Sequence, residues 1–166
     1  MNMSESQYCF IPDSKEVFVI AQIIEYLDNT DQIIVKEVKN NRTTTLKKNQ
    51  ITLIGSMEEL ENPPSDLIKL VHVNRPGILH TLRTRFMNDQ IYTSIGPILV
   101  ALNPFKWIKN LYDDDIKEKY NKEERFLTDS PHVFAIAHEA FRDLHLGMNQ
   151  SLIIRYGKYR SYKLHV

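Results

Sequence analysis

A loop rich in hydrogen-bonding and aromatic side chains follows the most apolar stretch of this sequence. The stretch covers residues 98–102, and the loop after it contains Asn103, Pro104, Phe105, Lys106 and Tyr112. In open α/β sheets ligands bind beyond the carboxyl ends of strands, so this position is typical of a ligand loop. An asparagine amide donates and accepts hydrogen bonds, and a tyrosine adds a hydroxyl to an aromatic face. Such a set can hold a flat heterocycle by its edge and its plane.

The same loop also has a purely structural interpretation. Asn103 and Pro104 can simply begin a turn, and Tyr112 can pack on the core. Trp107 either covers a bound ring or packs outside the site. Spacing alone leaves both interpretations open.

Other reactive side chains have simpler explanations. Acids followed by lysines at 113–119 predict a solvated helix, because this order complements the helix dipole. His132, His138 and His145 are six and seven residues apart, whereas paired metal ligands on a helix are about four apart, so no metal is assigned to them. Cys9 has no evident base beside it, which favours packing over nucleophilic catalysis.

The N-terminal part of the sequence predicts strands only. Polar turns at 28–31 and 39–42 separate the β-rich runs. The runs cover residues 17–21, 33–35, 43–46 and 51–54. This density of strands leaves no room for helices between them, so we expect a small antiparallel barrel or meander. The following segment, with Pro63 and Pro64, has no strand pattern and is expected to be a linker.

The sequence after the linker predicts alternating helices and strands. Asn74 can cap a helix that has Pro76 in its first turn, and Ser130 can cap a second helix that ends at Gly147. The apolar faces of these helices consist of Ile78, Leu79, Leu82 and Phe86 in the first, and Val133, Ile136, Ala137, Ala140, Phe141 and Leu144 in the second.

Two unbroken apolar runs in this part predict buried strands. Residues 98–102, which follow the segment 91–95 and the interruption at Gly96–Pro97, lack alternation and predict a strand buried on both faces. Residues 151–154 predict a second such strand, so a central α/β sheet is expected.

Composition narrows the possible partners. The 166 residues include 42% hydrophobic side chains, and 21 basic residues balance 21 acidic ones. This balance favours neither nucleic acid nor an anionic membrane as partner. With one cysteine and no apolar run of the roughly 20 residues that span a bilayer, the sequence predicts a cytoplasmic protein without membrane insertion.

Residues 8–154 resemble the myosin motor head. The matching segments occur in the family's order at residues 10–19, 66–70, 74–86, 90–106, 130–137 and 149–154. Residues 90–106, which end in Asn103-Pro104-Phe105-Lys106, are the most specific. The resemblance implies a small Src-homology-3-like antiparallel β-barrel at 8–56, a linker at 57–65 and the N-terminal part of a P-loop NTPase-type α/β motor core at 66–154.

The resemblance also implies roles and partners. Asn103, Pro104 and Tyr112 would belong to a purine-binding loop that recognises adenine, with Lys106 nearby and Phe105 as support. The complete family motor uses ATP and magnesium, binds actin filaments and light chains, and is associated with the cytoskeleton. The family is an actin-activated ATPase.

The sequence departs from the family after Ile154. There the family has a glycine-rich loop that cradles phosphates, with a lysine and a magnesium-holding threonine. Tyr156 and Tyr159 stand in place of glycines, Tyr162 in place of the lysine and Lys163 in place of the threonine. We therefore expect an incomplete motor core and a chain that does not catalyse hydrolysis alone.

The tail at 155–166 is expected to lie outside the family. It is either a basic, tyrosine-rich strip for phosphate or nucleic acid, or the product of an altered reading frame or translated intron. Two alternatives to a motor fragment stay open for the whole chain. One is a non-enzymatic truncated interaction module that uses the N-terminal barrel, and the other is an aggregation-prone product with unpaired strand edges.

Overall fold

The structure, a computed structural model, describes residues 7–28, 30–122, 130–155 and 161–165, with the backbone alone at 122 and 161–165. The chain forms two compact units, Met1–Asn88 and Asp89–Val166. Among the described helices, none combines the length and hydropathy needed to cross a membrane.

The first unit contains a five-stranded antiparallel sheet in the order β4-β3-β2-β1-β5. The strands are β1 (Tyr8–Asp13), β2 (Val17–Tyr26), β3 (Gln32–Glu37), β4 (Thr43–Lys47) and β5 (Thr52–Leu53). Strands β2 to β5 lie where the sequence predicts β-rich runs, and the two predicted polar turns lie between β2 and β3 and between β3 and β4. β1 was not among the predicted runs. The prediction of an antiparallel N-terminal region is confirmed.

Alternating side chains of this sheet form the main core. Because successive residues of a strand point to opposite faces, every second residue of β1, β2 and β3 reaches the same interior. The buried members are Cys9, Ile11, Ala21, Ile23, Ile33 and Val35, with Val19, Leu46 and Ile51 packed against them.

Two α-helices follow the sheet within the first unit. Helix α1 (Met57–Glu61) lies inside the predicted linker and ends before the two prolines, while α2 (Arg75–Met87) begins where predicted. The Asn74 side chain accepts a hydrogen bond of 2.8 Å from the Gly77 backbone N–H, which confirms the predicted cap.

The buried positions of α2 differ from the predicted apolar face. Pro76, Thr81 and Arg85 are its buried residues, whereas the predicted apolar positions are only half-buried. A periodicity that counts apolar residues misses polar side chains that lie in the interior. It therefore identified the helix but not its most buried positions.

In its described residues, the second unit contains two hairpins and two α-helices. Its elements are β6 (Tyr92–Ile95), β7 (Ile98–Ala101), α3 (Asp114–Lys122), α4 (Val133–His145), β8 (Ser151–Arg155) and β9 (Ser161–His165). β6 pairs with β7 and β8 pairs with β9, both antiparallel. Gly96 has φ of +54° in the turn between β6 and β7, as expected for the first central residue of a tight hairpin.

The prediction of strands buried on both faces is wrong for the described residues. In β7, Ile98 is exposed and the next two residues are half-buried, and in β8 both Ile153 and Ile154 are exposed. Within the described chain β7 pairs only with β6, and β8 only with β9, so neither is a central strand. The described sheets are antiparallel rather than one α/β sheet.

Helix α4 is confirmed, but its first residue differs from the prediction. It begins at Val133, and the cap is His132 rather than Ser130. The end is as expected, because Gly147 follows the helix with φ of +80°. Ala135 is buried, whereas Val133, Phe141 and Leu144 of the predicted apolar stripe are exposed in the described structure.

Candidate functional site

The predicted ligand loop begins with a turn that Asn103 shapes. Its Oδ1 atom accepts a hydrogen bond of 2.9 Å from the Phe105 backbone N–H. Such a side-chain-to-backbone bond two residues along is typical of asparagine before a turn. Phe105 has φ of +50°, in the left-handed region. The Asn103 acceptor therefore serves the loop, while its amide nitrogen has no hydrogen-bond partner in the described part of the chain.

The middle of the loop presents aromatic rings to solvent. Phe105 and Trp107 are 90% and 84% exposed. Pro104 between Asn103 and Phe105 is half-buried and fixes the turn. Of the two interpretations of Trp107, neither is decided by a contact, because its ring is not packed against any described aromatic side chain. This exposure leaves both rings available for stacking.

Lys106 is held at one side of the loop. Its Nζ atom lies 2.5 Å from a carboxylate oxygen of Asp89, and both side chains are about half exposed. An exposed ion pair contributes little stability, so Asp89 orients Lys106 more than it stabilises the unit. Lys106 can exchange this partner for another anion at low cost.

The far end of the loop is anchored through Tyr112. Its hydroxyl lies 2.8 Å from the hydroxyl of Tyr92 on β6. Its ring centroid is 5.8 Å from that of His132 and 6.1 Å from that of Phe134. Tyr112 is nevertheless 45% exposed, so one part of the side chain packs and another part faces solvent.

His132 lies at the centre of this aromatic cluster and is only 5% exposed. Its Nδ1 atom accepts a hydrogen bond of 3.1 Å from the Phe134 backbone N–H, which makes it the cap of α4. Its Nε2 atom lies 3.0 Å from the Leu111 carbonyl oxygen in the loop. Since Nδ1 accepts, Nε2 carries the proton and donates, and the ring is neutral.

Burial changes the acid–base behaviour of the cluster. Desolvation lowers the pKa of His132, and its hydrogen bond to the Leu111 carbonyl opposes this only partly. Desolvation, followed by the hydrogen bond with Tyr112, raises the pKa of Tyr92. Both side chains are therefore uncharged at neutral pH.

The structure brings some of the predicted site residues into this network. Tyr112 joins the aromatic cluster, whereas Asn103 and Phe105 form the opening turn and Lys106 pairs with Asp89.

Sequence reasoning missed Tyr92 as a partner of the loop and Tyr120 as the residue that stacks on His132, and it treated His132 only as an unassigned histidine. The available signal was weak: His132 directly precedes the apolar periodicity of α4, where a capping side chain is needed.

No metal centre is found in the described part of the chain. Acidic residues 114 and 115 lie in the first turn of α3, as the dipole argument predicts. Across the described ranges, no group of three or more histidine, cysteine, aspartate or glutamate side chains could hold a metal ion.

Comparisons with known proteins assign a family to the sequence. The sequence profile of the myosin head (motor domain) matches residues 64–158. The chain is 32% identical to Myosin-13 of Arabidopsis thaliana over 146 residues, which are 87% of this chain and 9% of that protein. It is 34% identical to Myosin-J heavy chain of Dictyostelium discoideum over 152 residues, covering 87% of this chain and 6% of that protein.

A third relative is similar to a shorter segment of this chain. The chain is 42% identical to Myosin-2 of Arabidopsis thaliana over 90 residues, which are 54% of this chain and 7% of that protein. The chain thus spans about a tenth or less of the length of these relatives.

Proposed function

This chain belongs to the myosin head (motor domain) family, and from that premise we propose that it supplies the adenine-binding loop of an ATP-dependent, actin-based motor. The proposed contacts are Asn103, Pro104, Phe105, Lys106 and Tyr112. The loop lies within the residues that match the family, directly after β7.

The observation that carries the proposal is that the two polar atoms of the Asn103 side chain have different roles. Its Oδ1 atom holds the turn through Phe105, which leaves its amide nitrogen to donate to a ring nitrogen of a base. The exposed Phe105 ring offers a stacking face next to it. Such a site would recognise a heterocycle by a hydrogen bond to its edge and by stacking rather than by its charge.

The phosphate end of the nucleotide has no comparable site in the described residues. In P-loop proteins the phosphate loop leads into a helix. Here residues 161–165 form β9, which pairs with β8. The replacements at Tyr162 and Lys163 are in this strand, while those at Tyr156 and Tyr159 lie outside the described residues.

Magnesium does not fit these residues. Lys163 is cationic where a hydroxyl ligand is needed, and the described chain has no cluster of metal-ligating side chains. We therefore assign no magnesium site and no step of phosphoryl transfer to this chain, and propose that it does not hydrolyse ATP by itself.

The complete motor is proposed to do more than this segment. We propose that it uses ATP and magnesium, binds actin filaments and light chains, and is associated with the cytoskeleton. Water attack on the γ-phosphate and its coupling to movement would belong to that larger protein.

The first unit is proposed to contain a Src-homology-3-like barrel. Supporting this, its five strands pair antiparallel, and buried side chains of β1, β2 and β3 share one apolar core. The proposed boundaries are 8–56 for the barrel, 57–65 for the linker, 66–154 for the motor part and 155–166 for the tail.

Equilibrium dialysis of the 166-residue chain with labelled adenosine and ATP tests this function. We expect both to bind with similar, weak affinity, because the base supplies the contacts. Asn103→Ala should weaken binding roughly tenfold, the effect of one lost hydrogen bond to a ligand. The matched control is Asn121→Ala, an exposed asparagine on α3. No binding, or equal binding by the Asn103 variant, would overturn the proposed site.

A separate measurement addresses the larger protein. An antibody against residues 1–60 should detect, in native lysate of the source cells, a product much larger than 19.5 kDa. A product of 19.5 kDa alone would argue against the motor function.

A further inference from the structure

We propose that His132 is a positioning residue that fixes the Leu111–Tyr112 end of the loop and thereby sets the geometry of base binding. The consequence for adenine rests on the proposed function. The positioning itself rests on the contacts of the His132 ring.

The two ring nitrogens of His132 connect different parts of the second unit. Nδ1 accepts from the Phe134 N–H at the start of α4, and Nε2 donates to the Leu111 carbonyl in the loop. One rigid imidazole thus holds the loop at a fixed distance from the helix. A capping serine or asparagine would satisfy the helix but is too short to reach both partners.

Aromatic side chains hold the ring in its orientation. Tyr120 of α3 stacks on it with a centroid distance of 5.2 Å and an interplanar angle of 20°. Tyr92 meets it edge-on at 4.9 Å, and Phe134 lies at 4.7 Å. The Tyr120 hydroxyl donates to the Ser130 carbonyl at 2.8 Å, so the stacking partner is itself anchored.

Tyr112 is therefore positioned from two sides. The hydroxyl of Tyr92 contacts its hydroxyl, and the His132 ring contacts its ring. The neighbouring Leu111 is tied by its carbonyl. Without the His132 ring, Leu111 would lose this hydrogen bond and Tyr112 would keep its contacts with Tyr92 and Phe134, so the loop end would open more often.

A cap-preserving variant separates this role from simple helix stabilisation. His132→Asn retains an oxygen that can accept from the first helical N–H groups, since asparagine is a strong cap. It lacks the reach to Leu111. His132→Gln is longer and can restore the donor to Leu111, so it is the rescue variant. The matched control is His145→Asn, an exposed histidine in the last turn of α4.

Hydrogen exchange of the full chain tests positioning without any ligand. In His132→Asn we expect peptides from 106–116 to exchange at least about threefold faster, while α4 keeps its protection. His132→Gln should recover part of the protection, and His145→Asn should equal the parent chain. Unchanged exchange at 106–116 would overturn the proposal, and so would equal loss throughout α4, because the role would then be structural only.

Adenosine dialysis tests the consequence for base binding. If the parent chain binds adenosine, His132→Asn should bind roughly tenfold more weakly. Equal binding would overturn the role in recognition while leaving the proposed function standing. If the parent chain does not bind adenosine, the proposed function fails, and the exchange result alone decides whether His132 positions the loop.

Discussion

The hydroxyls of Tyr92 and Tyr112 lie 2.8 Å apart, so a buried strand residue is bonded to the exposed end of a loop. Tyr112 is one of the residues that we propose to contact the base. Its hydroxyl faces a protein partner in the structure, whereas the rest of the side chain is partly open to solvent. A ligand at this end of the loop therefore meets a ring whose direction is already set.

Removing either hydroxyl should lower the stability of the second unit, and the effects of the two removals should not be additive. We expect Tyr112→Phe to destabilise the second unit by about 1 kcal/mol, because the buried Tyr92 hydroxyl loses a partner. In urea unfolding at pH 7, a double-mutant cycle with Tyr92→Phe should give a coupling of about 0.5–1.5 kcal/mol.

The first unit offers a matched control for that cycle. Tyr26 is 45% exposed, like Tyr112, and its hydroxyl contacts the exposed Gln7 side chain at 2.9 Å. Water can replace this bond, so Tyr26→Phe should change stability by less than about 0.5 kcal/mol. A coupling near zero between Tyr92 and Tyr112 would show that the contact does not stabilise the loop end.

Cys9 should resist alkylation in the folded chain. It is fully buried in the sheet core, and burial raises the pKa of its thiol to about 11. The thiolate is the reactive form, so iodoacetamide at pH 8 should label native Cys9 at least about tenfold more slowly than the urea-unfolded chain. Since Cys9 is the single cysteine, mass spectrometry reads its modification directly.

The same shift of the Cys9 pKa has a consequence at high pH. An acid whose folded pKa is raised is ionised first in the unfolded chain, so stability should fall as the pH rises from about 9 towards 11. Equal labelling rates for the folded and unfolded chain would contradict the burial of the thiol.

Glu16 should contribute a salt-sensitive interaction to the first unit. Its carboxylate contacts Lys39 at 2.6 Å and Arg83 of α2 at 3.3 Å. The hydrogen bond from Lys39 is the main cause that lowers the pKa of Glu16. Stability from this pairing is thus present above the ordinary carboxyl pKa and lost as the pH falls through the lowered value.

Thermal unfolding of Glu16→Gln checks this at two salt concentrations. Because all three side chains are exposed, we expect a small decrease in melting temperature at 20 mM salt that shrinks at 500 mM. Glu25→Gln on β2 is the control, since Glu25 is exposed and outside these ion pairs. A decrease that is independent of salt would point to a cause other than charge pairing.

The antiparallel pairing of the N-terminal region could be predicted from the sequence because its β-rich runs are separated by polar turns. Residues 33–35 illustrate this: Ile33 and Val35 are apolar and point to the same core. The capping roles of Asn74 and Gly147 were also predictable, since each depends on local backbone geometry.

The burial of the apolar runs and the anchoring of the loop could not be predicted without three-dimensional information. Unbroken apolar runs predict full burial only if strands lie on both sides, and nothing local in residues 98–102 tells how many neighbours the strand has. In the same way, the contact between His132 and Leu111 joins residues 21 positions apart. The position of the loop directly after β7 could therefore be predicted, but the anchoring of its far end could not.

The last prediction concerns the pH dependence of the second unit. Burial lowers the pKa of His132, and its Nδ1 atom accepts a hydrogen bond that protonation would abolish. The unfolded chain therefore binds this proton more readily than the folded chain. By linkage, the stability that neutral His132 provides is complete above the usual histidine pKa of about 6.5. It is lost as the pH falls through the lowered pKa of His132 in the folded chain.

Neighbouring groups should not mask this effect. Among the described residues, the titratable side chains whose rings pack against His132 are the phenols of Tyr92, Tyr112 and Tyr120. Desolvation raises the pKa of Tyr92, so this phenol stays neutral as the pH falls. Glu139 on α4 has a raised pKa, mainly through desolvation, and favours the folded state as the pH falls. Its contribution is present in every variant and cancels in a comparison.

Urea unfolding of the parent chain and of His132→Asn at pH 7.5 and 5.5 measures the contribution of His132. We expect the parent chain to lose more stability between these pH values than the variant, because asparagine caps α4 without titrating. His145→Asn should behave like the parent chain, since His145 is exposed. An equal loss in the parent chain and in His132→Asn would mean that another group carries the pH dependence, and that the neutral imidazole is not what holds Leu111 to the start of α4.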